Sequence, residues 1–226
     1  MREEFRLWRG DSVETRSIEV RHVVIAGWTG RDQRAVAEHV AELKALGVPA
    51  PSATPLFYRV SASRLTVAPE IETCGESGSG EAEAVLVRSG GFLWVGVGSD
   101  HTDRALETVG VAVSKQVCDK PVAPELWAFD EVIGHWDSLV LRSWAVTGAE
   151  EKLYQEGTTS ALLDPRELME KYSGGTLPDE TAMFCGTLPA IGGVRPAEGF
   201  VFELTDPILG RTIRHKYSIK VLPVVR

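Results

Sequence analysis

The stretch Gly80-Glu81-Ala82-Glu83-Ala84-Val85-Leu86-Val87-Arg88, continued by Ser89-Gly90-Gly91 and Phe92-Leu93-Trp94-Val95-Gly96-Val97-Gly98-Ser99-Asp100, decides how this chain folds. Two β-forming runs flank a glycine turn, which reads as a hairpin with arms Glu81–Arg88 and Phe92–Ser99. Side chains two apart share a strand face, so Glu81 and Glu83 project together. The second arm ends at Ser99-Asp100, and in a hairpin that end lies beside the start of the first arm. A third carboxylate therefore meets the other two. Gathered carboxylates repel one another and call for a cation, and three hard oxygen ligands suit Mg²⁺ or Mn²⁺ better than zinc. The same Glu-x-Glu spacing also serves ordinary solvated faces of antiparallel strands, so spacing alone leaves both readings open.

Outward from the hairpin the chain alternates short strands with a few helical segments. The opening reads as strands, with Ser17–Trp28 carrying Val23-Val24-Ile25 and breaking at Gly27 and Gly30. Gln33–Leu46 has Val36, Val40, Leu43 and Leu46 at helical spacing; Asp32 is placed to cap it, and Gly47 with Pro49 to stop it. A proline-rich connector, Pro49–Pro55, leads to a short strand at Leu56–Val60. Downstream, Thr108–Val117 fits either helix or strand, and Leu139–Thr147 pairs with Glu151–Glu156 around Gly148. Asp164–Lys171 reads as a short helix with Pro165 in its first turn. Thr181–Cys185, Phe200–Leu204 and Ile213–Val221 complete the strands. The pattern predicts a β-rich α+β fold with one core, spanning residues 1–226 as a single domain.

Composition removes several classes of function. A chain of 226 residues with 43% hydrophobic content can bury a sizeable core. A net charge of −8 argues against a nucleic-acid surface, which needs a basic stripe. Cys74, Cys118 and Cys185 form no Cys-x-x-Cys, so neither a structural zinc nor a disulfide framework is expected. The start lacks an apolar secretory core, and no run approaches the roughly 18 apolar residues of a bilayer span. A cytoplasmic protein without membrane partners is the expectation. Neither a Gly-x-Ser-x-Gly elbow nor a Gly-x-x-x-x-Gly-Lys phosphate loop occurs.

The order of motifs resembles the fumarylacetoacetate-hydrolase-like enzymes. Gly80-Glu-Ala-Glu-Ala-Val-Leu-Val is similar to that family's metal-binding strand, and Val97-Gly-Ser-Asp100-His-Thr-Asp-Arg104 to the motif that carries its third metal ligand. Ser114-Lys115-Gln-Val-Cys-Asp-Lys-Pro121 resembles its Lys-Ser segment, whose lysine contacts substrate. Leu153-Tyr-Gln155-Glu-Gly-Thr158 resembles its Gln-x-x-x-Thr turn, Cys185-Gly186-Thr187 its Gly-Thr-Pro substrate loop, and Asp206–Ile213 its closing strand region. Upstream, Leu56-Phe57-Tyr58-Arg59 stands where the family has Phe-x-Lys-Pro-Ser, and His39-Val-Ala-Glu42 matches a lid motif, giving residues 29–50 as a lid segment. This chain departs from the pattern at Arg59-Val60 in place of Lys-Pro, Leu188 in place of the loop proline, and Ala105 in place of an aspartate. All three departures lie around the substrate and leave the three acids untouched.

The resemblance implies a mixed β-roll like the C-terminal domain of that family, working as a homodimer, with Mg²⁺ or Mn²⁺ held by Glu81, Glu83 and Asp100. It implies a small carboxylic acid substrate, chelated through adjacent oxygens so that the ion stabilises an enolate. Hydrolysis of a C–C bond in an acylpyruvate-like or β-dicarbonyl acid is the leading expectation. Decarboxylation or tautomerisation of a 2-oxo acid, and a catalytically silent binding protein, are the alternatives. His39 would activate water with Glu42 orienting it, since positions three apart share a helix face. Lys115 would donate to the substrate, with Tyr58, Arg59, Gln155, Gly186 and Thr187 as substrate contacts.

Overall fold

Ala82–Ser89 pairs antiparallel with Phe92–Ser99, Ala82 opposite Ser99 and Ser89 opposite Phe92. Gly90 and Gly91 turn the chain at φ of 60° and 80°, a two-residue reversal that side chains with a Cβ resist. Ala82, Ala84, Leu86, Val95 and Val97 pack into one hydrophobic core, while Val85, Val87 and Trp94 pack into a second on the opposite face. The run after Glu83 is apolar at every position because both of its faces are covered.

The computed structural model describes residues 1–45 and 50–225, side chains at 39 and 42–45 excepted. The hairpin is the middle of an eight-stranded sheet ordered Ser12–Glu19, Arg2–Arg9, Glu125–Ala128, Phe92–Ser99, Ala82–Ser89, Thr181–Thr187, His22–Gly27, Leu56–Val60. Two of its pairings are parallel: Arg2–Arg9 with Glu125–Ala128, and Thr181–Thr187 with His22–Gly27. A five-stranded sheet, ordered Glu150–Thr158, Val140–Thr147, Gly199–Asp206, Arg211–Leu222, Glu70–Cys74, supplies the other wall of the first core. Its Leu141, Phe200, Phe202, Leu204 and Tyr217 meet the hairpin's Ala84, Leu86 and Val97 there. The second core gathers Phe5, Leu7, Ile18, Val23, Ile25 and Phe184 from strands on either side of the hairpin. The architecture is therefore the mixed, β-rich roll expected.

Local chemistry explains the agreements and the differences. The first helix runs Gln33–Ala45, its start held by Asp32 Oδ1, which accepts from the amides of Arg34 (2.9 Å) and Ala35 (3.2 Å). The expected end signals, Leu46, Gly47 and Pro49, lie outside the described residues. Pro165–Ser173 is a helix capped by Asp164 and closed at Gly174 in the left-handed region. The ambiguous segment resolves into the helix Val111–Gln116, with Ser114 and Lys115 buried. The run read as Ser17–Trp28 is two strands, Ser12–Glu19 and His22–Gly27. They separate at Val20-Arg21, where the Arg21 and His22 amides both donate to the Glu180 carbonyl, at 2.8 and 3.1 Å. Charged residues at most positions of Arg2–Arg9 mask its strand character, since only Phe5 and Leu7 are buried.

Leu86 is fully buried and Val13 is 48% exposed. Leu86→Ala is expected to cost about 2–5 kcal/mol, through lost burial and a cavity that the two-sided packing cannot close. Val13→Ala should stay within about 0.5 kcal/mol. Urea unfolding of both variants measures the contrast.

Candidate metal centre

The ladder ends at Ala82–Ser99, and one step beyond it the Asp100 amide donates to the Glu81 carbonyl at 2.9 Å. That bond sets the third acid beside the first. One carboxylate oxygen from each of Glu81, Glu83 and Asp100 lies within 4.8 Å of the other two. Asp100 and Glu83 are buried, and Glu81 is the acid nearest to solvent. Behind them, Tyr217 Oη contacts His101 Nδ1 (2.9 Å) and Ser99 Oγ (3.0 Å), and that hydroxyl accepts from the Glu81 amide at 3.2 Å.

Three cations surround the acids. Lys115 Nζ donates to Asp100 Oδ2 and to Glu81 Oε2, the latter at 3.3 Å. Lys120 Nζ lies 3.2 Å from Asp100 Oδ1 and donates to the His101 carbonyl at 2.6 Å. Arg104 reaches Glu81 Oε1 at 2.9 Å, Ser79 Oγ at 2.6 Å and Glu107 at 3.1 Å. Burial works to raise Glu81, but Arg104 and Lys115 outweigh it and hold its carboxyl at about 2. Glu83 has no ion pair of its own among the described residues. Burial, reinforced by the charges of Asp100 and Glu81, pushes it well above the ordinary carboxylate range, against the charge of Lys115 and the Gly186 amide at 2.6 Å.

This donor set fits a hard divalent cation. Asp100 Oδ1 is buried and faces the Lys120 ammonium at 3.2 Å with no other hydrogen-bond donor among the described residues, which leaves lone-pair capacity for a ligand bond. Burial raises the proton affinity of Glu83, so an ion held there would displace a proton.

The structure distributes the remaining candidates unevenly. Gly186 is at φ 100°, and a Cβ there would run into the Thr29 side chain; only glycine lets its amide approach Glu83. Thr187 Oγ1 donates to the Ala82 carbonyl at 2.8 Å and accepts from Gln155 Nε2 at 2.7 Å. Gln155 is spent within the protein: Nε2 also donates to the Leu188 carbonyl, and Oε1 accepts from the Ala82 amide (2.9 Å) and Ser143 Oγ (2.8 Å). It ties the strand that carries Glu83 to the Thr187 loop. Tyr58 and Arg59 are neighbours on one strand, so their side chains point to opposite faces. Tyr58 packs on the second core, accepts from Trp28 Nε1 at 3.1 Å and feels Lys115 and Asp100 electrostatically. Arg59 is exposed and meets His22 Nδ1 at 2.8 Å, so it is not brought to the triad. His39 and Glu42 lie on the helix Gln33–Ala45, but their side chains fall outside the described residues.

Two contributors escape a reading of the sequence by candidate roles. Arg104 opens a short helix capped by Asp103, whose Oδ1 accepts from the Leu106 amide at 3.0 Å. Its signal was an arginine four residues after Asp100, in the same acidic motif. Lys120 gave a weaker one: a lysine immediately before Pro121 in an otherwise apolar segment, Lys120-Pro-Val-Ala.

A family model described as "Protein of unknown function (DUF2848)" matches residues 26–217. The chain belongs to the DUF2848 family. Among curated proteins no sequence matches this chain. Solved structures match closely in shape. One is a fumarylpyruvate hydrolase from Pseudomonas aeruginosa in complex with Mn²⁺ and pyruvate, 18% identical, covering 97% of each chain at a TM-score of 0.66. A 2-keto-3-deoxy-D-arabinonate dehydratase in its apo form is 15% identical, covering 95% of this chain and 78% of its own, at 0.63. A 5-carboxymethyl-2-hydroxymuconate delta-isomerase from Mycobacterium smegmatis is 18% identical, covering 96% and 83%, at 0.61. This DUF2848 chain thus has the fold of the fumarylacetoacetate-hydrolase-like enzymes. No helix among its described residues is long and apolar enough to cross a membrane.

Glu83 holds its proton to a higher pH in the folded chain than at the ordinary value of 4.5. Between those two values the folded state binds more protons, so metal-free stability falls as pH rises through that window. Glu83→Gln, which keeps the Gly186 contact without the charge, should flatten this fall and raise the melting temperature of the metal-free protein at pH 8. Thermal melts of both forms from pH 4.5 to 9, in chelator, give the comparison.

Proposed function

We propose that this protein is a divalent-metal enzyme that hydrolyses a C–C bond in a small acylpyruvate-like or β-dicarbonyl acid. Glu81, Glu83 and Asp100 would hold Mg²⁺ or Mn²⁺. The observation that carries this reading is the convergence of those three acids, two of them buried, within 4.8 Å. A bound divalent ion supplies Lewis acidity to adjacent substrate oxygens. The likeness to a fumarylpyruvate hydrolase that holds Mn²⁺ and pyruvate supports the same choice of ion and acid.

The chain's own residues do the rest. Gly186 fixes Glu83 through its amide, and the Gln155–Thr187 pair holds that loop against the Ala82 carbonyl. Lys115, which already reaches two of the acids, donates to a substrate carboxylate or carbonyl beside them. Arg104 keeps Glu81 ionised and oriented. Tyr58 closes the substrate side from the strand next to His22–Gly27. His39, with Glu42 as its partner, would take a proton from the attacking water; both side chains fall outside the described residues. A lid over residues 29–50, of which 46–49 are not described, would exclude bulk water.

The same residues would serve 2-oxo-acid decarboxylation or tautomerisation, a second reading supported by the dehydratase and isomerase that share this fold. Calorimetric titration with Mg²⁺ and Mn²⁺ is expected to show one site per chain. Glu83→Ala should lower ion affinity by more than about a hundredfold, beyond the effect of losing a supporting residue. Negligible, equal binding by both forms would leave a silent fold instead. A panel of acylpyruvates and 2-oxo acids with product analysis separates the reactions: cleavage by water yields two acids, whereas decarboxylation releases CO₂.

A further inference from the structure

Asp100 is gripped by two lysines from different elements, and the two are not equivalent. Lys115, on the helix Val111–Gln116, also contacts Glu81 and keeps 8% of its side chain exposed. The Lys120 side chain has no exposure at all. Its backbone is pinned, because Lys120–Pro121 pairs in parallel with Leu65–Thr66 and the Val122 and Ala123 amides donate to the Thr66 and Val97 carbonyls at 2.8 and 2.9 Å. Its ammonium has no acidic partner among the described residues other than Asp100.

The consequence is a matter of charge. Three carboxylates, Glu81, Glu83 and Asp100, face three cations, Arg104, Lys115 and Lys120, in one buried cluster. Entry of a divalent ion leaves that cluster with excess positive charge, and an uncompensated buried charge is strongly unfavourable. Arg104 has a further acid, Glu107, whereas Lys120 has Asp100 alone among the described residues. An anion arriving with the ion would offset the excess.

We propose that Lys120 is a built-in counter-cation for Asp100 which leaves the ion site short of negative charge, so that the divalent ion and a doubly anionic chelating head group bind as an interdependent pair. The head group it selects is a carboxylate beside a second ionised oxygen. This rests on the metal-site reading above. By linkage, ion and anion raise each other's affinity by the same factor.

The test is calorimetric titration of Mn²⁺ into the full chain, alone, with saturating oxalate (two charges) and with saturating oxamate (one charge, same size), free Mn²⁺ being corrected for complexes in solution. The wild-type chain is expected to bind Mn²⁺ on the order of tenfold more tightly with oxalate, and to gain far less from oxamate. Lys120→Met should bind Mn²⁺ alone about tenfold more tightly and lose most of its preference for oxalate over oxamate. Should Lys120→Met leave Mn²⁺ affinity and that preference unchanged while Glu83→Ala abolishes binding, the inference is overturned and the metal site stands. Should the wild-type chain take up no Mn²⁺ under any condition, the metal site falls and this inference with it. Where Lys120→Met does not fold, the wild-type comparison decides alone: equal gains from oxalate and oxamate overturn the proposal.

Discussion

The pairing that brings Asp100 beside Glu81 is the constraint on which the site depends. One amide-to-carbonyl bond, just past the last rung of the central hairpin, places two acids together, and strand alternation adds Glu83. Everything nearby answers the electrostatic problem so created. Lys115 and Lys120 take the two oxygens of Asp100 from opposite directions, Arg104 takes Glu81, and Glu83 is left with a single amide. Taking an ion out of water costs several kcal/mol, so Asp100, Lys115 and Lys120 depend on one another for their burial.

The hairpin also dictates the architecture around the site. Because both faces of its apolar portion are covered, the acids stand where two cores end together and the strand emerges toward the loop at Gly186 and Thr187. The register of Thr181–Thr187 against Ala82–Ser89 shifts between Phe184 and Thr187, and that irregularity turns the Gly186 amide onto Glu83. Gln155, from the second sheet, then locks the loop. Both sheets therefore converge on the same few residues, which gives the acids a rigid frame.

Much of this was legible because it is local. The hairpin, its glycine turn and the proximity of three acids follow from alternation and turn chemistry within Gly80–Asp100. The capped helix at Gln33 and the Pro165 helix follow from their end signals. The charged opening strand was harder to read, since only two of its residues reach the core. Gln155 looked like a substrate contact because a glutamine in a turn motif carries no mark of which partners will use its four bonding positions. Arg59 looked like one too, until its strand register turned it toward His22.

By itself, the sequence determined the β-rich class, the central hairpin and the identity of its three acids, because periodicity and turn preferences act over a few neighbouring residues. Only the tertiary structure decided which cations answer those acids, that Lys120 is fully buried against Asp100, and that Glu83 pairs with a backbone amide and, among the described residues, no cation. Those outcomes depend on contacts between segments 15 to 103 positions apart, whose charges interact only after folding has removed the water between them.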